Sequence, residues 1–262
     1  MLVWSRRGRW LVWGSTVLIA AVVFGLPLAT IAVAGFSRQW SGALPTGLTL
    51  GRLVDALSGN DLASLSVSVQ TAAAASAVSI VVGSWAAMSV RALPRGARGV
   101  LDAAFLLPIA VPSVVMGLGV LAAFNTVLSG TAVIVIVAHV ALVLPFTYAS
   151  VSAGLDRLDP LLAHVAASLG AGPATILRRI TLPLLAPSLL ASGGLAFALS
   201  MGELGATSFV YPPTWQTLPV TIGALTGRGS VLQASAVAVV LLVTTLLVLV
   251  GLSAVRTRAS YR

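Results

Sequence analysis

Charged residues fall along the chain in tight groups, and the stretches between them are long and almost wholly apolar. Residues 10–37, 62–90, 103–155, 180–202 and 229–255 contain no Asp, Glu or Arg. A charge near the centre of a bilayer costs at least about 2.5 kcal/mol, so such intervals mark where helices can cross a membrane. A crossing takes about 20 residues. The interval 103–155 therefore holds two crossings, divided near Asn125-Thr126 and Ser129-Gly130-Thr131. The pattern predicts an all-α polytopic membrane protein with six spans, at about 11–36, 61–90, 101–127, 131–153, 184–210 and 230–254.

Two connecting segments are long enough to have character of their own. Residues 37–60 carry Gly42, Pro45, Gly47 and Gly51 and are expected to form an irregular surface loop. Residues 154–182 instead carry helix punctuation. Asp159 suits an N-cap, Pro160 the first helical position and Gly170 the residue just past the end. Between them Leu161, Leu162, Val165 and Leu169 share one face, which predicts an amphipathic helix of about ten residues, too short to span. On periodicity alone this helix could simply lie on the inner leaflet. A second helix is expected after Gly172-Pro173, with Arg178 and Arg179 at its membrane end and Pro183 and Pro187 bending the chain into span five.

Composition agrees with a membrane protein: 58% of the 262 residues are hydrophobic and 8% charged, and the mean hydropathy is +1.05. The net charge of +9 comes from fifteen basic residues against six acidic ones, and all fifteen are arginine. Twelve of them (Arg6, Arg7, Arg9, Arg91, Arg95, Arg98, Arg157, Arg178, Arg179, Arg256, Arg258 and Arg262) fall on one side of the six spans, and only Arg38, Arg52 and Arg228 on the other. The excess of arginine marks the cytoplasmic side, so both termini are expected inside. The charge thus serves topology, and no nucleic-acid partner is expected. Arg6-Arg7-Gly8-Arg9 before an apolar run, with Ala32-Val33-Ala34 beyond it, also has the outline of a signal peptide. The run is far longer than a signal core, and the first span is read as retained.

The chain has no lysine and no cysteine. A Walker A loop, a Schiff-base enzyme, a Ser-Lys pair, disulfides and thiolate sites are therefore excluded from this subunit. No repeat or linker divides the sequence, so residues 1–262 are read as one domain.

Glu203 is the one carboxylate inside an apolar span and must face protein or a water-filled path. It would line or gate a translocation path, or else satisfy freed backbone groups or partner His139 in span four. Gly202 and Gly205 beside it permit close approach or local unwinding. His139 on its own is read as a satisfied bundle histidine. Two histidines without cysteine support no metal site. Pro108, Pro112 and Pro145 should kink their helices. Ala72–Ser76, Gly117, Gly119 and Gly193-Gly194 mark packing seams, and Tyr211 and Trp215 in Tyr211-Pro212-Pro213-Thr214-Trp215 are read as interface anchors at the outer end of span five.

The loop before the last two spans resembles the EAA loop of ABC importer permeases. That pattern is Glu-Ala-Ala, three residues, Gly, nine residues, Ile, one residue, Leu-Pro, and Ala166, Gly170, Ile180, Leu182 and Pro183 match it at that spacing. The family's glutamate is His164 here and its first alanine is Val165. Six spans and the segment Gly202-Glu203-Leu204-Gly205-Ala206-Thr207 extend the likeness to permeases for ferric iron, thiamine, polyamines, molybdate or sulfate, and 2-aminoethylphosphonate. The resemblance implies a type I ABC transmembrane domain of a bacterial inner membrane. Asp159, Leu161, Leu162, His164, Val165, Ala166, Gly170, Ile180, Leu182 and Pro183 would then form a coupling loop that docks on a separate ATPase subunit, while Glu203, Gly202, Gly205, Thr207 and His139 would lie on the path or its gate.

The same resemblance implies as partners two ATP-binding subunits holding ATP and Mg, an extracytoplasmic solute-binding protein and a second permease. This subunit would hold no cofactor and do no bond chemistry. An imidazole at 164 cannot form the family's carboxylate salt link, which favours a heterodimer in which the partner permease carries the standard loop. The run Trp40-Ser41-Gly42-Ala43-Leu44-Pro45 with the span-five segment looks most like the aminophosphonate, thiamine and ferric-iron branch, and an aminophosphonate-type solute is the expected substrate. A secondary transporter using Glu203 is the alternative of another class. It lacks support from a second broken helix in the other half of the chain.

Overall fold

The computed structural model describes residues 6–42 and 45–259; Ala43, Leu44 and Arg262, which entered the reading above, lie outside that range. The chain divides into two compact units, Met1–Leu62 with Thr221–Leu242 and Ala63–Val220 with Val243–Arg262. Among the described residues the fold is all-α apart from one two-stranded antiparallel pair.

The first unit opens with helices α1 (Arg6–Ala20) and α2 (Leu26–Gly35), joined by a π-turn over Ala21–Gly25. Pro27 explains the turn. It has no N–H to donate and its ring crowds the carbonyl four residues back, so the ladder widens just ahead of it. Residues 37–60, expected to be irregular, instead hold an antiparallel pair, β1 (Ser37–Gln39) and β2 (Thr46–Leu48), and a short helix α3 (Gly51–Ala56). Arg52 secures them: its Nε donates to the Ser37 carbonyl at 3.1 Å and its Nη2 to the Arg38 carbonyl at 3.1 Å. A β-carbon on Gly35 would lie 3.1 Å from the Ala236 Cα, so the backbones meet closely there.

Helix α4 (Gly59–Arg91) carries the chain into the second unit, followed by α5 (Arg95–Leu106), a 3-10 turn over Leu107–Ala110, α6 (Ser113–Leu128) and α7 (Ala132–Asp156). The loop holds α8 (Pro160–Ser168) and α9 (Pro173–Ile176); a π-turn over Leu177–Thr181 then leads into α10 (Leu182–Met201). As at Pro27, this π-turn ends two residues before a proline, Pro183. The helices α11 (Thr207–Val210), α12 (Leu218–Gly227) and α13 (Val231–Ala259) complete the order.

Among the described residues five helices are long and apolar enough to cross a membrane, and a sixth crossing would be the pair Arg95–Ala110 and Ser113–Leu128, bent by 107°. The expected continuous span at 101–127 is thus broken. Pro112 removes an N–H and forces Val111 into an extended conformation, φ −90° and ψ 125°. Helix α6 alone has 16 residues, a length of about 24 Å against a hydrocarbon core of about 30 Å. Span five also stops earlier than the expected residue 210, at Met201, where Gly202 and Gly205 open the helix. The short apolar helix α12 was not foreseen, because ten apolar residues do not reach the length of a crossing.

Two buried clusters hold the second unit. Tyr148, Val151, Leu155 and Leu185 gather with Ala87 and Val90, and Val120, Ile134, Val135 and Ala138 with Ala206 and Val210. Small residues allow this packing: a β-carbon on Gly154 would meet the Ser188 Oγ at 2.6 Å, and one on Gly193 the Ile80 side chain at 2.7 Å, whereas one on Gly119 would meet nothing within 4 Å among the described residues. Trp215, expected as an interface anchor, is half-buried and donates from Nε1 to the Thr71 hydroxyl at 2.9 Å.

Candidate functional site: an exposed loop helix and a clamped helix break

Helix α8 is built from its caps inward. The Asp159 carboxylate accepts the Leu161 N–H at 2.9 Å, Pro160 takes the first position, and Gly170 closes the end at φ +85°. The Ala171 N–H reaches back to the Ala166 carbonyl at 3.0 Å and the Gly170 N–H to Ala167 at 2.9 Å, which satisfies the last turn. Leu161, Leu162, Val165 and Leu169 are all exposed, Leu169 by 83%. His164 also stands in solvent and Ala166 is half-buried. An apolar ridge of this kind on so short a helix fits a partner surface. Ile180 and Leu182 are half-buried and Pro183 is exposed where the π-turn joins α10.

The second site lies where α10 breaks. His139 is 1% exposed, with Nδ1 2.6 Å from the Ser200 hydroxyl and Nε2 2.8 Å from the Thr207 hydroxyl. Ser200 precedes the break and Thr207 follows it, so one ring holds both edges together. The Thr207 hydroxyl also donates to the Glu203 carbonyl at 3.3 Å. With that proton committed, Nε2–H is the donor to Thr207 and Nδ1 accepts from Ser200.

Glu203 does not pair with His139. Its Oε1 accepts the Ala206 N–H at 2.6 Å, replacing a bond the broken helix has lost. Both side chains nonetheless line one cavity of about 150 Å³, shared with Ser113, Ser200, Pro108 and Val111. Gly202 is exposed, while Gly205 is half-buried; a β-carbon on Gly205 would run into the Ser113 hydroxyl, and one on Gly117 would lie 2.6 Å from the Ala206 Cα. The start of α6 therefore presses directly on the break.

Ser113 and Ser200 were not singled out by the sequence, because serine is common in these helices and only a fold pairs them with His139 and Glu203. The ion pairs at the end of α7 were also missed, although Arg98 and Asp102 stand four apart on one helix, a legible signal. Among the described residues no three His, Cys, Asp or Glu side chains come together as metal ligands.

Membrane-length apolar helices, an exposed apolar ridge on a short loop helix and a clamped break beside a cavity fit a helical membrane transport subunit. The chain belongs to the family of binding-protein-dependent transport system inner membrane components, which it matches over residues 79–257. It is 42% identical over 261 residues, 98% of both chains, to the putative 2-aminoethylphosphonate transport system permease protein PhnV of Salmonella typhimurium. It is 32% identical over 193 residues to the spermidine/putrescine transport system permease protein PotC of Haemophilus influenzae, 73% of this chain and 74% of that one. The fold resembles that of a bacterial ABC transporter involved in the import of the acidic polysaccharide alginate, with a TM-score of 0.73 at 16% identity over 95% of this chain and 96% of that one. A structure of a bacterial alginate ABC transporter in complex with alginate pentasaccharide-bound periplasmic protein matches equally, at 0.73 and 17% identity over 93% and 92%. The protein is a permease subunit of a bacterial ABC importer and a component of the inner membrane.

Proposed function

We propose that this permease imports an aminophosphonate-type solute as one half of a channel completed by a second permease, two ATP-binding subunits and a solute-binding protein. The observation that carries the substrate is the 42% identity, over 98% of both chains, to a putative 2-aminoethylphosphonate permease. A polyamine is the second reading, favoured by the 32% identity to PotC. Six crossings with both termini inside complete the proposal, α5 through α6 making the third. The exposed position of His164 favours a heterodimer, since two copies would duplicate a loop without the family's carboxylate.

Coupling is mechanical in this reading. Closure of the ATP-binding pair draws α8 inward, and α8 moves the helices to which its loop is attached, α7 and α10. The α10 break then shifts beside the cavity, with Glu203, Gly202, Gly205, Thr207 and His139 on the path or its gate.

The substrate is tested in proteoliposomes holding the complete complex, loaded with ATP inside and supplied with the solute-binding protein outside. Uptake of labelled 2-aminoethylphosphonate that exceeds spermidine uptake is expected; the reverse order would install the polyamine reading. The docking role is tested by Gly170→Val, since a β-branched residue at φ +85° costs about 1–2 kcal/mol and unwinds the end of α8. Loss of the ATP-binding subunits on co-purification is expected, with membrane insertion retained. Retention of the ATP-binding subunits would remove the assignment.

A further inference from the structure

Asp156 is the last residue of α7, beside the loop that carries α8. A carboxylate at a helix C-terminus faces the negative end of the dipole and is disfavoured there by itself. Two guanidinium groups offset this. Arg91 Nη1 lies 2.9 Å from Asp156 Oδ1, and Arg91 is the last residue of α4. Arg98 Nη2, on α5, lies 3.2 Å from the same oxygen.

The network continues along α5. Arg98 Nε stands 3.6 Å from Asp102 Oδ2, and the Tyr148 hydroxyl donates to Asp102 Oδ1. Phe105 stacks on Tyr148 with ring centroids 4.6 Å apart and 15° between the planes. Tyr148 lies on α7 about two turns before Asp156. Helix α5 is therefore tied to α7 at two points, and α4 is tied to the same carboxylate.

Exposed ion pairs of this kind add little to stability. Their effect is geometric, because a bridging guanidinium fixes the relative position of the two carboxylates it joins. The far end of α5 runs through the Leu107–Ala110 turn into the 107° corner, and Pro108, Val111 and Ser113 at that corner line the cavity with Glu203. One end of α5 thus meets the base of the docking loop and the other meets the wall of the cavity.

We propose that Asp156, with Arg98 and Arg91, is a positioning residue for transport, passing the movement of α8 to the α5–α6 corner. The docking loop then acts on the cavity wall through α5 as well as through α7 and α10. The inference rests on the reading of α8 as the helix that docks on the ATP-binding subunit.

The test uses the complete complex in proteoliposomes and reads solute imported per ATP hydrolysed, with whichever of 2-aminoethylphosphonate or spermidine the unaltered complex imports. Asp156→Asn is expected to lower that ratio about tenfold, a size typical of coupling changes, while the ATP-binding subunits still co-purify. Asp156→Glu should restore most of the ratio. Arg98→Gln should lower it similarly, and the double variant no further, because the two act through one contact. Tyr148→Phe removes the second tie while keeping the ring stack, and should also lower the ratio in a chain that melts as the original does. An unchanged ratio in Asp156→Asn, or strictly additive losses in the double variant, overturns the proposal. Loss of the ATP-binding subunits from Asp156→Asn also overturns it, since the carboxylate would then belong to the docking surface. If Gly170→Val fails to release those subunits, the docking reading itself falls, an outcome read by co-purification alone.

Discussion

His139 and Glu203 divide the work of a broken helix between them. The imidazole spans the break through Ser200 and Thr207, and the carboxylate caps the Ala206 N–H inside it. Replacing His139 with Ala leaves the buried Ser200 hydroxyl without its ring partner, leaves Thr207 bonded to the Glu203 carbonyl alone and opens a void, and should destabilise the chain by about 2–4 kcal/mol, measured as a lowered melting temperature in detergent. Glu203→Gln keeps the accepting oxygen and removes the charge. It should fold as the original does, so a fall in uptake would assign the charge itself to the path, whereas Glu203→Ala should lose about 1–3 kcal/mol through the orphaned N–H. Sequence made Glu203 conspicuous because a carboxylate in an apolar span is expensive. It could not choose between a backbone cap and a bond to His139, because that choice depends on a turn whose geometry only the fold sets.

Helices were legible where their ends carried chemistry. Asp159, Pro160 and Gly170 stand at the predicted ends of α8, since caps act locally and need no tertiary context. The breaks were harder to place. Pro108 and Pro112 were read as kinks within one span, yet together with Val111 they turn α5 away from α6 by 107°. Pro145, by contrast, stays inside an unbroken α7. The difference lies in position: Pro112 opens a helix, where φ is already suitable, whereas Pro145 sits amid packed neighbours that hold the ladder. Pro112→Ala should therefore relax the corner and move Ser113 off Gly205. A lowered uptake with the ATP-binding subunits still bound is the expected outcome, and unchanged uptake would show that the corner is not needed. The hairpin at 37–48 escaped notice because strands of three residues carry too little pattern to register.

At the scale of the whole molecule, charge-free intervals coincide with the helices that are long and apolar enough to cross a membrane, because the cost of burying a charge acts the same way wherever a helix lies. Orientation rests on where the arginines fall. The absence of cysteine in this sequence makes it directly measurable, since an introduced thiol is the only one this chain offers to the label. With a membrane-impermeant maleimide on intact cells, Ser41→Cys should label and Gly96→Cys should not until the membrane is opened; the opposite pattern would invert the topology. Both positions are exposed, and a β-carbon at Gly96 meets nothing within 4 Å. The π-turn over Leu177–Thr181 bears on how such chains diverge. A π-turn holds one residue more than the α-helix it interrupts, and each residue advances a helix by about 100°. Gain or loss of a single codon here would rotate α10 relative to an unchanged α8, presenting a different side chain to the cavity. On the function proposed above, with α8 docking on the ATPase and the cavity on the path, the joint is a place where an importer of this build can change what it admits without renegotiating what drives it.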